Sequence, residues 1–165
     1  MNTIRLAVTG DIDRLMAIFE RARKFMQSTG NANQWINGYP QRELMLQEIL
    51  AQHCFVCVNT EEVVIATFCF IHGSDPTYAY IEDGEWSSDE PYAVIHRLAS
   101  DGSQHGIAAE CIAWCSKQIA CLRADTHADN HVMQHLLEKN GFQRCGIIYV
   151  ANGTPRIAYQ KSKEQ

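Results

Sequence analysis

Residues 92–140 run through the same order of elements twice. Tyr92 to Ala99 reads as a strand that passes through the polar turn Ser100–His105 into a helix over Gly106–Ile119. Leu122 to Thr126 then reads as a second strand, and Asn130 opens a second helix that runs to Asn140. Two strand–turn–helix units in succession demand helices layered on a sheet. They also set helix N-termini beside strand ends, where unpaired backbone N–H groups form a natural anion site.

The remaining segments extend this plan. Ile4–Val8 reads as a first strand. Gly10-Asp11 offers a helix start, and Ile12, Leu15, Met16, Phe19, Ala22 and Met26 recur at helical spacing behind it. Ser28–Pro40 is rich in Gly and Asn, and reads as a loop that exposes Trp35 and Tyr39. A second helix starts near Pro40 and carries Leu44, Leu46 and Ile49. His53–Val58 and Val63–His72 read as a hairpin across the polar turn Asn59–Glu62. Asp75–Pro91 is a polar excursion, and Gln143–Val150 and Arg156–Gln160 are closing strands. The expected order is β-α-α-β-β-β-α-β-α-β-β: a mixed α/β arrangement, one domain spanning residues 1–165, with no internal repeat.

Composition narrows the function classes. With 46% hydrophobic and 20% charged residues, the chain has the make-up of a globular protein. A net charge of −5 argues against nucleic acid as a partner, because phosphate-backbone affinity comes from clustered Lys and Arg. Any anionic ligand must be held locally. No apolar run approaches the ~20 residues of a membrane span, and no charged segment with an apolar signal core opens the chain, so the expectation is a cytoplasmic protein with no membrane partner. The seven cysteines are odd in number and are expected to be reduced and mostly buried. Cys54 and Cys57 have C-x-x-C spacing, but within an alternating strand their side chains point to opposite faces.

The segment Ile95-His96-Arg97-Leu98-Ala99-Ser100-Asp101-Gly102-Ser103-Gln104-His105-Gly106-Ile107-Ala108 resembles the acyl-CoA loop of the GNAT superfamily. That pattern is Arg or Gln, two residues, Gly, one residue, then Gly or Ala. Gly106 and Ala108 fill its last two places, whereas Ser103 stands in the Arg/Gln place and brings a hydroxyl without charge. Small residues suit a loop whose backbone N–H groups must approach a pyrophosphate. Downstream, Asn130 through Phe142 resembles the superfamily's next unit, with Asn130, Glu138, Lys139, Gly141 and Phe142 in register and Gly141 suited to a helix C-cap.

The resemblance implies a GNAT-like acyl-CoA N-acyltransferase fold, with a central mixed, mostly antiparallel sheet flanked by helices. It further implies acetyl-CoA as co-substrate, no metal, and a small-molecule or peptide amine as acceptor, with a homodimer left open. Ser103, Gln104, His105, Gly106, Ile107 and Ala108 would then hold the CoA, Leu98 and Ser100 would pair with the pantetheine arm as an added strand does, and Asn130 would contact that arm. Leu137 stands where many members carry a Tyr that protonates the leaving thiolate. Tyr149 is a substitute for that role or a packing residue.

His96, on the strand leading into the loop, is the candidate general base, or else a core imidazole bonded to backbone. Glu82, Asp83 and Glu85 form an acidic cluster that would bind a cationic amine or stand as a solvated loop. Trp35 and Tyr39 would wall the acceptor pocket or pin their loop to the core. His127, His131 and His135 recur every four residues, without an H-E-x-x-H pattern or a clear third ligand. Two rivals stand beside the acetyltransferase: a catalytically silent acyl-CoA-binding module and a metal-dependent hydrolase.

Overall fold

The computed structural model describes residues 1–162. Its elements are β1 (Thr3–Leu6), α1 (Ile12–Ser28), α2 (Arg42–Leu50), β2 (Cys54–Val58), β3 (Val64–His72), β4 (Tyr92–Ser100), α3 (Ile107–Gln118), β5 (Cys121–Thr126), α4 (His131–Lys139), β6 (Gln143–Tyr149) and β7 (Pro155–Ser162). The order is the one read from the sequence. The starts of α1 and α3 differ from the expected ones for local reasons. A short 3-10 turn takes Thr9–Asp11 before α1, and α3 starts at Ile107 because Gly106 is left-handed, with φ 78°.

The seven strands form one sheet in the order β1-β2-β3-β4-β5-β7-β6. Every neighbouring pair is antiparallel except β4 and β5. These two run parallel and pair only from Tyr92↔Cys121 to Val94↔Arg123. Beyond Val94, β4 continues along β3 to Ser100 while β5 follows β7 to Thr126, so the sheet opens into a V. A bulge helps to bend β4 away. Thr67 pairs with Ala99 but Cys69 with His96, which leaves one extra residue on β4, and Arg97 takes a left-handed φ of 54° there.

Helices cover both faces. Leu15, Ile18 and Phe19 of α1 and Met45 and Ile49 of α2 pack with Cys54, Val56 and Cys69 on one face. Ile107, Cys111, Ile112 and Cys115 of α3 and Leu137 of α4 pack with Phe68, Ile95, Leu122 and Tyr159 on the other. Cys54 and Cys57 therefore sit in different clusters, as strand alternation requires, and all seven cysteines are buried and free. Gly141, at φ 92°, closes α4, and the N–H of Phe142 returns to the carbonyl of Leu137 at 2.9 Å. Among the described residues no helix is long and apolar enough to cross a membrane.

Phe68 is fully buried, stacked on Phe55 at 5.6 Å and tilted against Trp114 at 5.9 Å. Phe68→Ala should lower unfolding stability by about 3–5 kcal/mol, since the lost contacts leave a cavity between sheet and α3. Urea denaturation followed by circular dichroism measures it.

Candidate functional site

Where β4 and β5 part, a cleft of about 970 Å³ opens through the sheet. Ile95–Ser100 of β4 and Ala124 and Asp125 of β5 form its floor, and Ile107 and Ala108 at the start of α3 border it. Past Val94, the side of β4 that faces β5 has no strand partner, so its outward peptide groups are free to bond a ligand lying in the cleft.

The turn between β4 and α3 is held from within. Asp101 Oδ1 accepts the N–H of Ser103 at 2.9 Å, and Asp101 Oδ2 accepts from Arg14 at 2.6 Å. Gly106 caps α3 with no side chain, so the first-turn N–H groups receive no side-chain acceptor. A Cβ placed on Gly106 would meet nothing within 4 Å, so the space beside these N–H groups is open. The small residues and uncapped amides suit a pyrophosphate. Ser103, Gln104, His105 and Gly106 are exposed on this turn rather than lining the cleft itself, and Gln104 turns away to bond Asn2 at 2.9 Å.

No motif or spacing in the chain points to Arg21. Its guanidinium, reaching from α1, rests on Gly102 so closely that a Cβ there would overlap it. Gly102 has φ 76°, and Arg21 forms no ion pair among the described residues. A positive charge thus stands beside the loop although Ser103 supplies none.

His96 lies on the face covered by α1 and α2, half-buried, at the floor of the cleft. Its Nε2 is 3.3 Å from Asp75 Oδ2. Asp75 also accepts the N–H of Thr77 at 2.9 Å, and the His96 contact foremost holds its carboxyl below the usual aspartate range. Tyr78 sits beside His96, with ring centroids 6.5 Å apart, and donates to Asp125 Oδ2 at 2.7 Å. Burial, and then the charge of Asp125, push the Tyr78 hydroxyl up, so it stays protonated as a donor. Across the mouth, Trp35 and Tyr39 line the cleft but are half-buried, not exposed: Trp35 meets Phe19 edge-on at 5.7 Å, and the Tyr39 hydroxyl accepts from Arg97 at 2.8 Å. The two rings thus pin their loop to the core and, with the same side chains, line the cleft.

Asn130 also lines the cleft. Its Oδ1 caps α4 by accepting the Met133 N–H at 2.9 Å, while its Nδ2 donates to Gln34 Oε1 at 2.9 Å. The same Gln34 oxygen accepts from Asn31 and Thr126, tying the loop after α1 to the end of β5. Arg156 is 7% exposed and lines the cleft. It donates to Thr154 Oγ1 at 3.1 Å and to the Pro155 carbonyl at 2.9 Å, with the Gln34 carbonyl at 3.5 Å. Burial lowers its pKa, against the pull of Asp125.

Glu82 does not join this group. Its backbone bridges to Ile147, and its carboxylate accepts from the hydroxyls of Tyr80 and Tyr149, away from the cleft. Glu82 is committed to pinning the excursion onto β6, and Tyr149 is committed with it. Leu137 is buried against the other core cluster and borders the cleft with an inert side chain. Among the described residues no group of three or more His, Cys, Asp or Glu side chains could hold a metal ion. Arg21, Gln34, Asp75, Tyr78, Asp125 and Arg156 come from distant segments, and no spacing rule links them to the loop motif.

Asp75→Asn should lower stability at neutral pH. Because the folded carboxyl titrates below its unfolded value of about 3.9, Asp75 contributes stability above that value and loses it as pH falls through the lower folded one. The difference between wild type and variant should therefore shrink below about pH 4 in denaturation curves taken at several pH values.

No family model and no curated protein matches the chain. Solved structures do. An acetyltransferase of the GNAT family from Streptococcus agalactiae is 32% identical, with a TM-score of 0.89, and the alignment covers 99% of this chain and 96% of that one. A GNAT-family acetyltransferase from Listeria monocytogenes is 18% identical (TM-score 0.71; 98% and 94% covered), and one from Bacillus cereus is 16% identical (TM-score 0.63; 100% and 99% covered). The last two share the fold.

Proposed function

Because this chain belongs to the GNAT family of acetyltransferases, we propose that it moves the acetyl group of acetyl-CoA onto a primary amine by direct attack in a ternary complex. The observation that carries this reading is the gap between β4 and β5, bordered by an uncapped helix N-terminus. We read residues 1–165 as one domain that works in the cytoplasm.

The first-turn amides of α3, from Gly106 through Ala108, hold the pyrophosphate, and the helix dipole adds on the order of 0.3–1 kcal/mol for a nearby anion. Arg21 supplies the charge that Ser103 lacks. The unpaired edge of β4 near Leu98 and Ser100 bonds the pantetheine arm, with Asn130 at its far side.

In the chemical step, the amine nitrogen forms a bond to the thioester carbonyl carbon. Backbone N–H groups steady the oxyanion, the C–S bond breaks, and the sulfur keeps the electron pair. The proton shed by the amine passes to His96, oriented by Asp75. With Leu137 in place of an acid, the thiolate leaves unassisted and takes its proton from water. A simple thiol has a pKa of about 8.5, so this departure is not costly.

Three measurements test the reading. Turnover of acetyl-CoA with a panel of amines should release free thiol; CoA binding without any release would leave the silent module. Gly106→Val should weaken CoA binding by tenfold or more, about 1.4 kcal/mol, because a branched residue disfavours φ 78° and fills the open space beside the amides. Arg21→Met should cost roughly tenfold in CoA affinity, with the loss fading at high salt. Calorimetric titration on folded variants reads both. His96→Gln should remove a limb from the pH profile of kcat/KM, with the rate recovering at high pH.

A further inference from the structure

Asp125 and Arg156 place opposite charges on one face of the sheet without joining them. Asp125 pairs with Ala158 across β5 and β7, and Arg156 lies two residues further along β7. Side chains at paired positions, and at every second residue, project to the same face, so the two residues stand one diagonal step apart, with roughly 7–8 Å between their Cα atoms. Both border the cleft, on the face that also carries His96.

Neither charge joins a salt bridge among the described residues. Arg156 is 7% exposed, yet its hydrogen bonds go only to uncharged oxygens, and no carboxylate pairs with it among the described residues. Of its five N–H donors, Nε–H and one on Nη2 have no acceptor. A guanidinium withdrawn from water without an anion is costly, and two free donors are what a carboxylate engages side by side. Half-buried Arg97 and buried Arg123 are accounted for. Arg97 pairs with Glu48 at 3.1 Å, and Arg123 lies between the rings of Trp86 and Tyr92 at 4.0 Å from each. Asp125 receives Tyr78 on Oδ2, and its Oδ1 accepts no hydrogen bond among the described residues.

The geometry points to an acceptor that carries an amine and a carboxylate close together: a free amino acid, its carboxylate on Arg156 and its amine on Asp125, within reach of His96. This inference rests on the acetyltransferase reading. A polyamine or aminoglycoside would bring a second cation against Arg156, and a protein N-terminus has no carboxylate beside its amine. The reaction balances as before. The amino nitrogen gains the acetyl carbon, one amine proton is lost, and CoA leaves as the thiol.

Matched pairs decide it. Thiol release from acetyl-CoA is followed for a set of L-amino acids, each beside the amine that lacks its carboxylate. At least one amino acid should exceed its decarboxylated partner by about tenfold or more in kcat/KM. Arg156→Gln should erase that preference by raising the amino-acid KM roughly tenfold or more while the acetyl-CoA KM holds, and Arg156→Lys should keep part of it. Equal or better turnover of the decarboxylated amines overturns the inference and leaves the acetyltransferase standing. No thiol release with any amine, together with no heat on CoA titration, overturns both. The wild-type panel settles the matter even if an Arg156 variant fails to fold.

Discussion

The structure depends on three backbone pairings and on their ending. β4 and β5 are locked in register from Tyr92 to Val94, and from there each strand follows its other neighbour. Had the ladder continued, the peptide groups of Ile95–Ser100 would be satisfied inside the sheet and no ligand could reach them. The bulge at Arg97 turns β4 outward, and the Arg97–Glu48 ion pair ties that bulge to α2. A local defect in one strand thus creates both the cleft and the unpaired edge that lines it.

The gap also separates two electrostatic environments. On one side, α3 presents uncapped amides and Arg21 lies against Gly102, a place for phosphate charge in a chain whose net charge is −5. On the other side, Asp75, Asp125, His96 and Arg156 face the cleft in a set of mixed charge, to which we assign the amine acceptor. The Gln34 hub joins the loop after α1 to the end of β5 and to Asn130, so two walls of the cleft are fixed by one side chain.

Much of this was legible in the sequence. Element order followed from periodicity and turn residues, and the two strand–turn–helix units located the loop because Gly106 and Ala108 have a backbone reason to be small. Asn130 was readable as a helix start, and its cap to Met133 is seen. Charge partnerships were not legible. Glu82 looked available for an amine because nothing in the chain announces Tyr149 as its partner 67 residues away. No spacing or motif singles out Arg21 or Arg156, and only the crossing of α1 over Gly102 and the β5/β7 register bring them to the cleft. Loop composition alone puts Trp35 at the surface, because its partner, Phe19, belongs to another element.

We propose that CoA lies between β4 and β5 on the backbone amides of the α3 turn. Titrating isotope-labelled protein with CoA while following backbone amide resonances tests it directly. The largest shifts should fall on Gly106–Ala108 and on Arg97–Ser100, with small changes along β1 and β2. Shifts confined to other surfaces, or none at saturating CoA, would show that CoA does not bind between these strands.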